Sequence, residues 1–383
     1  MLPVMAQKSK RTDAIMFLRE GKVDQALQAI DAASQHPSTH EDPKTWHYKA
    51  KIYVTAASDT SRPNGEALAV GAYEAVKRAM ELDHRGKFRG ENQQLLMQTT
   101  FLLLNHAIAH YNDAITHLKD SAQAQPHFQK TADLLEKFFD AYQSLHPKAQ
   151  ELVDANLMKS QLPRPLLYFY AGYSAQQIGK NEAAKKYYQD AIAAEVKEPL
   201  AYIFYAELLA KEDSLQKASE VLAQGRKRFP DNTNLMDTEL RLYQDAGKTD
   251  ELMKRLKKVA AEHPEEPRYA LYLAGLYEKQ GNVDSAQAIY QKVLAADPEN
   301  ELANYNLGIL YFNKGVEFYN QSIKERDLKK AGKLDKKAKS WFAKAEPYLE
   351  KAYSQNPKDQ YLKRALKKIY LLLGKADKLS KLK

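Results

Sequence analysis

Small, aromatic and polar positions follow one another in a pattern that is plainest from Pro267 to Asn300. There Ala274, Tyr277, Ala286 and Tyr290 fall in two periodic runs, with Gly281 between the runs and Pro298 after the second. Apolar residues three and four apart mark one face of an α-helix, so the stretch predicts a helix, a tight turn and a second helix. Gly281 can take the left-handed backbone that ends the first helix, and Pro298 cannot continue the hydrogen-bond ladder of the second. Small side chains at Ala274 and Ala286 let two backbones cross closely, while Tyr277 and Tyr290 supply apolar area beside the crossing. Neither helix buries its apolar face alone, so each pair needs a neighbour.

The pattern recurs at a period of about 34 residues. Moving backwards, Ala286 becomes Leu252, Ala218 and Ala184; Pro298 becomes Pro264, Pro230 and Val196; Ala274 becomes Leu240, Ala206 and Gly172; Tyr290 becomes Leu256, Leu222 and Tyr188. Sizes change, but no polar residue enters the crossing. This spacing resembles the tetratricopeptide repeat, and an array of such repeats is expected over residues 165–359. The resemblance implies an all-α fold, an α-solenoid of antiparallel helical hairpins in a right-handed superhelix, here with extended-helix repeats and a C-terminal capping helix.

Outside the regular stretch the same alternation persists with longer elements. Ala14, Phe17, Gly21, Ala26, Ile30 and Ala33 predict a first helical pair within residues 12–36. Trp46, Ala50 and Tyr53 begin a second pair, and Ala72, Val76 and Ala79 complete it after a polar loop. A long helix is expected from Leu95 to about Leu118, its partner from Phe128 to Leu145, and a further helix from Glu151 to Leu162, halted by Pro163 and Pro165. The last unit opens normally with Tyr305, Leu307, Gly308 and Tyr311, but Ala345, Leu349, Ala352 and Pro357 arrive 25 residues late. The inserted residues 316–340 are lysine-rich and helix-compatible, and predict two long arms with a tip near Gly332. The chain closes on a capping helix with Leu362, Leu366, Ile369, Tyr370 and Leu373 on one face and Lys363, Arg364, Lys367 and Lys368 on another.

These features divide the chain into irregular repeats at 7–147, a regular array at 148–359 and a basic cap at 360–383. Residues 1–6 resemble the tail of an export signal, with Val4, Met5 and Ala6 suiting a cleavage site before Gln7. An exported, periplasmic protein is therefore expected, or a cytoplasmic one if Met1 is the true start with no signal before it. Regular units, one long-armed unit and a basic cap together resemble exported tetratricopeptide proteins of Gram-negative bacteria. No run of about 18 apolar residues occurs, so no membrane-spanning helix is expected.

Composition changes the picture in two places. The chain has no cysteine, which removes disulfides, thiolate metal sites and cysteine nucleophiles. Its net charge of +9 is concentrated from Lys324 onward, where 19 Lys and Arg stand against seven Asp and Glu. Such a bias suits an anionic polymer or membrane surface, although solvated lysine-rich helix faces explain it more simply.

Candidate chemistry is sparse. His106, His110, Asp113 and His117 form a stripe along the long helix, and imidazoles one turn apart can chelate zinc. In a straight helix His106 and His117 lie about 16 Å apart, so one ion cannot take all four, and the stripe is only a weak metal candidate. A metal-dependent enzyme is the remote alternative it would support. Gly247, Lys248 and Thr249 lack the earlier glycine and strand of a phosphate-binding loop and read as an interhelical turn. Gly172, Tyr173 and Ser174 lack the second glycine of a nucleophile elbow. No cofactor and no enzymatic activity are expected.

What remains is recognition. The resemblance implies that the first helix of each pair lines a concave groove, which would carry Phe169, Tyr173, Ile203, Glu207, Asp237, Arg241, Leu271, Glu278, Tyr305, Asn306, Ile309 and Phe312. Aromatic and arginine side chains are common binding anchors. Asn306 matches the asparagine of a carboxylate clamp found in part of the superfamily, but Leu271, Gly275, Tyr361 and Ala365 replace its other polar residues. The expectation is a non-catalytic scaffold or adaptor holding a peptide or partner helix in the groove. Its partner is expected to be a protein or peptide rather than nucleic acid. The alternative is a binder of anionic polymer or membrane surface through Lys363, Arg364, Lys367 and Lys368.

Overall fold

The structure, a computed structural model, describes residues 2–382, with side chains from Lys10 onward. Every regular element among these residues is helical. The side chains of Val4, Met5 and Ala6 lie outside the described ones. No described helix is long and apolar enough to cross a membrane.

Two compact units divide the chain at Glu239 and Leu240. In the first, α1 (Leu2–Arg19) pairs with α2 (Val23–Gln35), and α3 (Pro43–Ala57) with α4 (Gly65–Leu82). The long α5 (Arg89–Thr116) pairs with α6 (Ser121–Gln143). Two ordinary pairs follow, α8 (Arg164–Gln177) with α9 (Asn181–Ala193) and α10 (Leu200–Lys211) with α11 (Leu215–Arg228). Each pair packs on the next, so the apolar face that one leaves open is covered by its successor. α7 (Pro147–Lys159) breaks this order: it packs on α5 while α6 meets α8 directly. Pro147 begins α7 because a missing N–H costs nothing at the first position, and His146 Nδ1 caps the Ala149 amide. The helix expected over Glu151–Leu162 thus starts earlier. α7 also stands where a change from irregular to regular repeats was expected; the division by compactness falls elsewhere, inside α12 (Thr233–Asp245).

In the second unit, α13 (Thr249–Glu262) packs on α14 (Pro267–Lys279), and α14 pairs with α15 (Val283–Ala296). The long α16 (Glu301–Lys324) pairs with α17 (Leu328–Gln355), which packs on α18 (Gln360–Leu373), followed by α19 (Ala376–Lys381). The expected single capping helix is therefore two, parted at Gly374 with φ 71°.

The crossing of each pair works by fitting a small residue against a large one. A Cβ on Gly172 would stand 2.8 Å from the ring of fully buried Tyr188. The register-equivalent positions in the long-armed unit are Gly308 and Leu349, and a Cβ on Gly308 would come 2.5 Å from Leu349. The delayed register is thus realised as contact. Seven residues nearer the tip of the arms, later on α16 and earlier on α17, Gly315 faces Phe342 in the same way, the spacing that keeps a seam between two long helices. This register closes the arms at Glu325–Asp327. The Asp327 carboxylate caps the Lys329 and Lys330 amides. Gly332, the expected tip, lies inside α17: an aspartate cap, not a glycine, makes the turn.

Candidate functional site

The groove residues expected from the repeat frame separate into two kinds. In the first unit, Phe169 and Ile203 are buried, whereas Tyr173, Glu207 and Asp237 are partly accessible. In the second, Leu271 and Phe312 are buried; Arg241 is exposed; Glu278, Tyr305, Asn306 and Ile309 are partly accessible. Phe169, Ile203, Leu271 and Phe312 are therefore packing residues and offer almost no surface to a partner. Phe312 sits 5.7 Å from the Phe342 ring, filling the seam between α16 and α17.

Around Tyr173 the first unit gathers an aromatic surface larger than the repeat frame suggested. Tyr173 lies 5.4 Å from Phe204 and edge-on to Phe128, and Tyr111 of α5 stacks on Tyr170 of α8 at 4.1 Å. Tyr170, Phe204 and Tyr111 are also partly accessible. Burial raises the phenols of Tyr111, Tyr170 and Tyr173 above their ordinary value, so each stays a neutral hydrogen-bond donor at physiological pH. The signal was present in the sequence. Tyr170, Phe204, Thr238, Tyr272 and Asn306 occupy one repeat position, of which only Asn306 had been singled out.

In the second unit the half-buried Glu278 carboxyl is raised by burial, opposed by the neighbouring Tyr290 hydroxyl. Arg241 Nη1 lies 3.7 Å from Asp245, one turn along α12. An apolar cleft of about 570 Å³ opens among α13, α14 and α15, with Ala261, Ala270, Leu273, Ile289 and Val293 in its wall. The Gly247–Thr249 stretch is the interhelical turn expected, Gly247 having φ 66°.

The histidine stripe is rearranged by its partner helix. His106 packs on Gly65 at the start of α4, and burial lowers its pKa. His117 Nδ1 donates to the Asp113 carbonyl at 2.9 Å, and its ring lies 6.4 Å from that of His127. His110 is the member that gathers others: Nε2 lies 2.6 Å from Glu66 Oε2 on α4, and Nδ1 lies 2.9 Å from Nδ1 of His127 on α6. His127 Nδ1 is 3.7 Å from Asp113 Oδ2, and Lys130 Nζ is 3.2 Å from Glu66. Burial opposes ionisation of Glu66, but His110 and Lys130 outweigh it and hold the carboxyl below its ordinary value. His127 was missed because a stripe read along one helix does not include the helix antiparallel to it.

The basic cap is partly neutralised. Lys375 and Lys378 both reach the buried Glu346, at 2.5 and 2.7 Å, and Lys378 also reaches Glu350. Of the expected basic face, Arg364 and Lys367 are exposed, Lys363 is partly so, and the Lys368 ammonium lies 5.4 Å from the centre of the Tyr319 ring.

Stacked antiparallel hairpins with small-against-large crossings define an all-α tetratricopeptide-like solenoid, a class of protein-interaction scaffolds. Family profiles described as Tetratricopeptide repeat match residues 171–233 and 243–307, and these two stretches are tetratricopeptide repeats. A Drosophila melanogaster protein named BBSome complex member BBS4 homolog is 24% identical over 224 residues, covering 55% of this chain and 46% of that protein. The chain thus spans less than half the length of this curated relative. Among solved structures, a TPR repeats protein from Bacteroides fragilis is similar over 70% of this chain and 98% of its own, at 17% identity and a TM-score of 0.32. Yeast Tom70 is similar over 99% and 91%, at 14% identity and a TM-score of 0.29.

Proposed function

We propose that the chain is a non-catalytic scaffold that holds an extended peptide or a partner helix along the exposed faces of the first helices of its repeats. The observation that carries this is the recurrence of Tyr170, Phe204, Tyr272 and Asn306 at one repeat position, three of them rings and all partly accessible. A ring offers a large contact area at low entropic cost, and a neutral phenol or an amide can bond the backbone of a bound segment. The Drosophila relative is by its name a member of a complex, which accords with a role in assembly.

Peptides selected from a random display library on the full chain supply the test. Tyr170→Ser for peptides that bind the first unit, and Tyr272→Ser for those that bind the second, read by fluorescence anisotropy, weaken binding about tenfold or more, the effect of a binding hot spot. Lys186→Glu and Lys254→Glu, on exposed faces of α9 and α13, leave affinity within about twofold. Equal loss from both sets contradicts the reading. As a second reading, the exposed Arg364 and Lys367 support an anionic contact at α18. Its signature is polyanion binding that collapses between low and moderate salt; salt-independent binding removes it.

A further inference from the structure

We propose that His110, His127 and Asp113 form a binding site for one divalent transition-metal ion of the zinc class. The three residues come from both helices of the α5/α6 hairpin, and their ligand atoms all lie within 4.8 Å of one another. His110 and Asp113 share a face because they are three residues apart on α5, and the antiparallel pairing brings His127 opposite them.

Tautomer bookkeeping leaves room for an ion here. His110 Nε2 meets the Glu66 carboxylate at 2.6 Å, and a carboxylate only accepts, so Nε2 carries a proton. In a neutral ring Nδ1 is then a lone pair, and it points at His127 Nδ1, 2.9 Å away. Without an ion His127 must donate into it. With an ion both Nδ1 lone pairs become ligands and the His127 proton sits on Nε2.

Tetrahedral zinc with bonds of about 2.0–2.1 Å sets its nitrogens about 3.3 Å apart, so the rings separate by a few tenths of an ångström. Asp113 Oδ2, now 3.7 Å from His127 Nδ1, closes by a similar amount. Glu66 then stands behind His110 as the carboxylate that orients a metal-bound imidazole and raises its basicity. Lys130 is held on the same carboxylate at 3.2 Å.

The donor set selects the metal. Two imidazoles and one carboxylate suit zinc, nickel or copper, whereas calcium and magnesium take oxygen ligands. The side chains of His110, His127 and Asp113 are 15%, 32% and 58% accessible, a path of entry from solvent. A bound ion joins α5 to α6 near their shared turn, beside the small core of Ala114, Ala124 and Phe128 against which Tyr111, Tyr173 and Ile178 pack. A second cluster, His263, Glu265 and Glu266, comes from one loop, and its Glu266 is held by Arg268 at 2.8 Å.

The test is calorimetric titration of the full, tag-free, chelator-treated chain with zinc chloride, repeated with cobalt to read ligand-field absorption. One equivalent binds, and zinc raises the thermal midpoint. His127→Ala and Glu66→Gln each weaken binding about 10–100-fold, with circular dichroism reporting that the fold is kept. Asp113→Asn, at an exposed position, weakens it without disturbing the core, and His106→Ala does not change it. No saturable zinc binding overturns the proposal. So does affinity unchanged from the unsubstituted chain in both His127→Ala and Asp113→Asn, or a loss that follows His263→Ala instead.

Discussion

Two hairpins of this chain are longer than the rest, and they solve the same packing problem with different residues. α5 and α6 have 28 and 23 residues, α16 and α17 have 24 and 28, against 12 to 14 in the repeats α8 to α11. The later pair uses glycine: Gly308 and Gly315, seven apart, receive Leu349 and Phe342. The earlier pair uses alanine, with fully buried Ala107 and Ala114, also seven apart, and with Phe128 and Leu135 buried on the opposing helix. Small residues at heptad spacing on one helix and large ones on the other keep two long helices side by side. The teaching lies at the outer ends, where α5/α6 gathers His110, Asp113 and His127 while α16/α17 gathers lysines. Extending a repeat is a structural device, and what the extension carries decides its use.

The largest effect expected from this comparison is at the large member of each seam. Phe342→Ala and Phe128→Ala each cost about 3–5 kcal/mol, measured by denaturant unfolding; a loss well below that in either arm means the seams are not equivalent. Next is the anchor of the cap. Burial opposes ionisation of Glu346, but Lys375 and Lys378 hold its carboxyl below the ordinary value. A depressed carboxyl stabilises the fold above its unfolded pKa, and that contribution is lost as pH falls through the folded one. Hydrogen-exchange protection in α18 and α19, relative to the intrinsic rate at each pH, therefore falls below about pH 4.5, and Glu346→Gln lowers it at neutral pH, a loss of about 1.5–3 kcal/mol. Unchanged exchange in Glu346→Gln refutes the anchor. The smallest effect separates glycine from alanine. Gly315→Ala places a Cβ 2.7 Å from the Phe342 ring and costs about 1–3 kcal/mol of overpacking, whereas Ala114→Gly costs only about 1 kcal/mol of helix propensity. Equal costs would mean that the glycine seam has room to spare.

Much of the fold was legible because packing leaves a period in the sequence. Ala274 and Ala286 predicted a crossing, and the same frame with its second helix shifted by 25 residues marked Gly308 and Leu349, which the structure brings together. The arm tip was misplaced because glycine was taken as the turn signal, while the chain turns at Asp327, whose carboxylate caps α17. The site was less legible. A repeat frame tells which helix face a residue is on, but not whether a neighbouring ring covers it, and so Phe169, Ile203, Leu271 and Phe312 proved buried. His127 lay 17 residues from His110, too far for a one-helix pattern; the small-against-large register of the hairpin was the clue that would have joined them.

Photo-crosslinking tests the central claim most directly. A photoreactive phenylalanine is placed in turn at Tyr170, Tyr272 and Asn306, and at Lys186 and Lys254, in the full chain expressed in its native cell. The account predicts partner capture from the first three positions and from neither lysine position. Capture that is equal from both sets, or confined to the lysine positions, contradicts it.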